Sequence, residues 1–138
     1  MLQILRTADF DTWLAALRDK VGQKQVLARL ARLSLGHWGD CKPVGGDAAD
    51  YLQSDEDCAQ YLQACMDEAP EDVALFTKAV GDIARTRGMM QLARDTGITR
   101  EGLYKALSEQ GNPSFATVVK VMHALGLQFK VGARPVQG

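Results

Sequence analysis

The stretch QLARDTGITREGLYKAL, residues 91–107, constrains the fold more than any other part of the chain. Two short helix-forming runs flank a turn containing Gly97. Two helices can cross closely only over a small residue, and Ala93 supplies one. A tight turn between them needs a residue that tolerates a left-handed backbone, and Gly97 meets that need. Ile98 is then expected to plug the core beneath the turn, Thr99 to cap the second helix, and Leu103 to close the small core between the two. With these positions turned inward, Thr99, Arg100, Glu101, Tyr104 and Lys105 are left facing outward. That set suits contact with nucleic acid: Arg to guanine, Glu to cytosine, Lys and Thr to phosphate or base edges. Gln91, near the start of the first helix, is positioned to bond a phosphate, and Ser114, at the start of the next helix, joins the candidate DNA contacts. The competing reading is an ordinary helical corner with a polar surface.

Charge distribution bears on that choice. The total is −1, but residues 1–46 carry 7 basic and 4 acidic side chains, residues 47–82 carry 1 basic and 10 acidic, and residues 83–138 carry 8 basic and 3 acidic. A near-neutral chain therefore has a basic C-terminal third, which suits a polyanionic partner, although solvated helix faces produce the same statistic. With 138 residues, 46% of them apolar, the chain can build one compact domain, or a small domain with an appendage. No apolar run reaches the roughly 18 residues of a membrane span, and the opening MLQILRTADFDTW lacks the pattern of a signal peptide. Cys41, Cys58 and Cys65 form no CxxC pair, and only His37 and His123 could assist them. Neither a disulfide framework nor a zinc site is expected, no cofactor is implied, and the expected compartment is the cytoplasm.

The periodicity predicts a mainly α-helical chain. LQILR, residues 2–6, reads as a short strand. Asp9 is expected to cap a helix with Phe10, Trp13, Leu14, Leu17 and Val21 on one side, interrupted by Gly22. A second helix carries Val26, Leu27, Leu30, Ala31 and Leu33 and ends near Gly36. Residues 36–53 are loop-like, and a boundary between two modules, 1–46 and 47–138, is expected there. Ser54 and Asp57 resemble a capping box ahead of the apolar stripe Cys58, Tyr61, Leu62, Cys65 and Met66, in which both cysteines read as core. Ala69-Pro70 breaks that helix. Pro70, Glu71 and Asp72 suit the first turn of the next, whose buried face is Val73, Phe76, Val80, Ile83 and Ala84, with Gly88 as C-cap. Ser114 caps a helix bearing Phe115, Val118, Val119, Met122 and Leu125, stopped by Gly126. LQFKV, residues 127–131, alternates like a strand.

The stretches IARTRGM, QLARDTGITREGLYKALS, GNPSFATV and ALGL closely resemble the antidote proteins of chromosomal toxin–antitoxin modules, the HigA-like addiction-module group, over about residues 50–131. Met90 stands where that group usually has a polar residue. The resemblance implies a phage-repressor-like helix-turn-helix bundle that binds operator DNA as a homodimer, neutralises a toxin and represses its own operon. The first 46 residues, with FDTWLAALRDKVGQKQVLARLARLSLGHWGDCKPVG, look like the opening of the matching toxin, a RelE-like, HigB-type mRNA interferase: a helical hairpin that in the toxin is followed by a multi-stranded sheet. Here the chain passes from GDCKPVGG straight into DAADYLQ. The sheet is missing, and with it the basic and aromatic residues such toxins use on mRNA. The whole chain thus resembles a truncated toxin fused to a complete antidote.

The expected function is a sequence-specific DNA-binding regulator. The alternative is an interaction module that binds a RelE-like toxin without reading bases. A surviving ribonuclease is disfavoured, because residues 1–46 offer only His37, Asp40 and Lys42 as acid–base groups. The chain is therefore expected not to be an enzyme.

Overall fold

The computed structural model describes the backbone of residues 8–35, 51–108 and 111–133, and the side chains of all of these except residues 8–11, 34 and 35. Seven helices run through them: α1 (Ala8–Ala15), α2 (Lys20–Leu35), α3 (Asp55–Glu68), α4 (Val73–Arg87), α5 (Met89–Thr96), α6 (Arg100–Ala106) and α7 (Phe115–Ala124). The architecture is mainly helical, and no strand occurs among the described residues.

Local chemistry sets most of the boundaries. Ser54 and Asp57 form the expected capping box: the Asp57 N–H donates to Ser54 Oγ (3.0 Å), and the Ser54 N–H donates back to the Asp57 carboxylate (3.3 Å). Gly88, at φ 102°, ends α4 with its N–H on the Ala84 carbonyl. The end of α7 closes as a Schellman motif: Gly126, at φ 78°, donates to His123 O (3.1 Å) and Leu127 to Met122 O (2.9 Å).

Other boundaries differ from the expectation. α1 already includes Asp9, so that residue is not its cap. The break between the first two helices falls before Gly22, because the Asp19 carboxylate accepts the Gly22 N–H (3.0 Å) and starts α2 at Lys20. Pro70 and Glu71 form a turn outside α4, since Asp72 caps it by accepting the Leu75 N–H (3.1 Å). Met66 and Val73 are exposed rather than buried.

The expected strand at 127–131 is absent. A strand needs a partner to complete its hydrogen-bond ladder, and none of the described segments offers one. Phe129 instead stacks against Phe76, with ring centroids 6.4 Å apart, and meets Phe115 in a tilted contact at 6.1 Å. The expected strand at 2–6 lies outside the described residues, as do Cys41, His37, Asp40, Lys42 and the module boundary itself.

A continuous buried cluster joins all helices from α2 onward. Cys58, Tyr61, Leu62 and Cys65 of α3 meet Leu75, Ala79, Val80 and Ile83 of α4, and the cluster runs on through Met89 and Leu92 of α5, Leu103, Leu107, Val121 and Met122. From α2 it takes Ala28 and Ala31. Cys58 and Cys65 are free and buried, as expected. Burial pushes the Cys65 thiol up to about 12 and raises that of Cys58 despite the nearby Arg87 guanidinium, so neither supplies thiolate at neutral pH.

Candidate nucleic-acid interface

α5 and α6 are joined by Gly97-Ile98-Thr99, and each of the three residues has a distinct task. Gly97 adopts a left-handed conformation (φ 74°, ψ 9°), and its N–H closes α5 on the Ala93 carbonyl. Thr96 reinforces that end: its hydroxyl donates to Leu92 O (2.8 Å) and accepts the Ile98 N–H (3.2 Å). Ile98 and Ala93 are half-buried against the core. Thr99 caps α6 by accepting the Gly102 N–H (3.0 Å). Leu103 is fully buried and anchors α6. The turn at Gly97, the cap at Thr99 and the burial of Leu103 are therefore as read from the sequence.

The outward set is also exposed as expected. Thr99, Arg100, Glu101, Tyr104 and Lys105 are all solvent-facing, and positions 100, 101, 104 and 105 share one face of a helix with 3.6 residues per turn. The Arg100 guanidinium lies 5.8 Å from the Tyr104 ring centroid, a cation–π contact that preorders both side chains. Three of the seven candidates have local hydrogen-bond partners. The Gln91 amide donates to Asp95 (2.9 Å), so it must exchange that bond to reach an external acceptor. Ser114, exposed at the start of α7, accepts the Thr117 N–H (3.1 Å) and acts as a cap. The Thr99 oxygen is likewise committed to Gly102, which leaves its O–H as a donor.

Ion pairing is uneven along the chain. On α2 and α4 the basic side chains Lys24, Arg29, Arg32, Lys78, Arg85 and Arg87 are ion-paired with Asp57, Glu68, Asp82 or Asp55, while Lys20, exposed at the start of α2, has no acidic partner among the described residues. Arg94, Arg100, Lys105 and Lys120, on α5, α6 and α7, are exposed, and none has an acidic partner among the described residues. Arg94 and Lys120 were not singled out from sequence; the contrast between paired and unpaired cations that marks them depends on tertiary neighbours. The Asp82 network is of the same kind. Asp82 accepts from Tyr61 Oη (2.9 Å), Lys78 (3.2 Å) and Arg85 (3.4 Å), and burial together with the Asp82 charge holds the Tyr61 hydroxyl well above its ordinary range. The Lys78 and Arg85 spacings to Asp82 are visible in sequence, but Tyr61 is not.

Among the described residues no cluster of His, Cys, Asp and Glu could hold a metal ion, and no helix is long and apolar enough to cross a membrane.

Comparison with known proteins names the family. The family model described as "probable addiction module antidote protein" matches residues 45–133, and the chain belongs to that family. One uncharacterized protein of Haemophilus influenzae is 56% identical over 85 residues, which is 62% of this chain and 86% of that relative. A second from the same organism is 38% identical over 55 residues, 40% of this chain and 54% of that relative. No solved structure matches the chain. The family match begins after α2 ends at Leu35.

Proposed function

We propose that this chain is a non-enzymatic, sequence-specific DNA-binding regulator of the toxin–antitoxin antidote type, acting as a homodimer on the operator of its own operon. The observation that carries the reading is the outward face of α6: Arg100, Glu101, Tyr104 and Lys105 are exposed behind a left-handed glycine turn, and neither Arg100 nor Lys105 has an acidic partner among the described residues. A helix-turn-helix reader needs that arrangement, with the first turn of its second helix free to enter the major groove. Arg100 would read a base edge, Lys105 and the Thr99 hydroxyl would hold phosphates, and Gln91 and Ser114 would flank them. Membership of the antidote family adds a toxin as a further partner. The phage-repressor-like arrangement of α4–α7 and the origin of residues 1–46 as a truncated RelE-like toxin belong to the same proposal.

The experiment is footprinting on DNA immediately upstream of the gene, with affinity followed against salt. A protected palindromic site, lost steeply as salt rises, supports operator binding. Absence of any protected site, together with capture of a RelE-like toxin, would favour an interaction module that does not read bases.

A further inference from the structure

α2 lies outside the family's own domain, yet it makes the most extensive helix–helix contact among the described residues, against α3. Its inward stripe is Lys24, Leu27, Ala28 and Ala31, spaced i, i+3, i+4, i+7. Lys24 and Ala28 are fully buried and Ala31 nearly so. The two alanines bring the helix close to Cys58, Leu62 and Cys65 in one buried cluster. Two carboxylates of α3 hold cations from α2: Asp57 pairs with Lys24 (3.3 Å), and Glu68 pairs with Arg29 (3.5 Å) and Arg32 (3.3 Å). The complementarity extends over both elements, because α2 contains no acidic residue and α3 no basic one. An antidote domain without α2 would leave this apolar strip and its two carboxylates bare.

From this we propose that the α3 face is a helix-docking surface, specific for a basic helix with an alanine stripe, and that α2 occupies it in cis. The full chain thereby holds its own partner site closed. A separate protein presenting such a helix would have to compete with α2, and because α2 is tethered to its site it wins unless the incoming helix binds much more tightly. The inference rests on the antidote-family assignment and the α2–α3 contact, and is independent of whether α6 reads DNA.

The test compares the full chain with its Ala28→Glu/Arg29→Glu/Arg32→Glu variant, using a fluorescent peptide of residues 18–36 as the probe. The variant inserts a carboxylate at the fully buried Ala28 position and opposes Glu68 with two more, so α2 is driven off its site. The expected result is peptide binding at least about tenfold tighter to the variant than to the parent, since the competing occupant has been removed. Amide hydrogen exchange read in parallel should show protection lost in α2 and kept in α4–α7. Equal peptide affinity for the two proteins overturns the proposal. Loss of protection throughout the variant also overturns it, because α2 would then be an inseparable part of the core rather than an occupant of a site. DNA binding measured on the same samples reports on the α6 reading alone.

Discussion

Gly97 holds φ 74°, and a Cβ built there would meet nothing within 4 Å. Any cost of substitution at this position is therefore backbone strain rather than a clash. Asn tolerates the left-handed region best, Ala less well, and β-branched Val worst. Thermal denaturation should rank the variants Gly97→Asn, Gly97→Ala, Gly97→Val in falling stability, with Val losing more than about 1 kcal/mol. A Val variant as stable as the parent would contradict the turn geometry. The neighbouring surface responds through affinity instead. Arg100 is exposed and its main contact is the Tyr104 ring, so Arg100→Ala should leave stability within about 0.5 kcal/mol. It should weaken operator binding by about 1–3 kcal/mol and relax preference at one base position. Lys105→Ala should weaken binding to all sequences alike and reduce the salt slope by about 1. Binding assays on the operator and on scrambled DNA separate the two behaviours, and unchanged affinity and preference would remove Arg100 from the interface.

The α2–α3 pair carries the element-scale prediction. Burial alone would raise the Asp57 carboxyl, but the hydrogen bond and charge of Lys24, with the backbone N–H groups of Gln53 and Ser54, outweigh it and hold the group below its ordinary 3.8. A carboxylate depressed in the folded state contributes stability above its unfolded pKa and loses it as pH falls through the folded value. The contribution should therefore be constant near neutrality, begin to fall near about pH 4 and be lost as pH drops through the lower folded value. Asp57→Ala should cost about 3–5 kcal/mol, because Lys24 would be left buried without an anion. Lys24→Met should cost less, since Asp57 keeps its two backbone donors. Denaturation of both variants across pH checks the order, and equal losses would show that the pair is not coupled as described. This contact also marks how far the chain could be read in advance. The caps and turns at Ser54, Gly88, Gly97, Thr99 and Gly126 were legible because each depends on residues within a few positions. The burial of Lys24 was not, because a lysine reads as surface until α3 supplies an acid opposite it, although its place in register with Leu27, Ala28 and Ala31 and the acidic composition of residues 47–82 were the available signals. The strand expected at 127–131 failed for the converse reason: alternation is local, but a ladder needs a partner. The outward face of α6 was legible because its inward anchors, Ile98 and Leu103, are specified by spacing.

At the scale of the whole molecule, apolar surface remains exposed at the C-terminal end. Phe115 is 74% exposed, Phe129 42% and Val131 98%. Phe129 bridges Phe76 and Phe115, so these rings form one continuous patch rather than scattered surface residues, and contiguous patches of this kind mark association sites. The segment Leu127–Val131 beside it is in no helix or strand, and beyond the Leu127 N–H, which is held by Met122 O, no ladder takes up its backbone groups among the described residues. In the proposed homodimer a second copy meets both needs at once. A five-residue segment pairing antiparallel with its own copy about Phe129 would set Leu127 opposite Val131 and Gln128 opposite Lys130, a pairing that two-fold symmetry repeats without mismatch. The same symmetry would present two copies of α6 to half-sites about one helical turn apart, roughly 34 Å. Light scattering at micromolar concentration should therefore give the mass of a dimer. Phe115→Asp should shift it toward monomer with little loss of helical content, since Phe115 is already largely in solvent. Because each monomer grips only one half-site, that variant should also bind the operator far more weakly than the parent while binding an isolated half-site equally well. A monomeric parent protein at that concentration would sink the dimer. A Phe115→Asp variant that stays dimeric would move the contact elsewhere on the molecule.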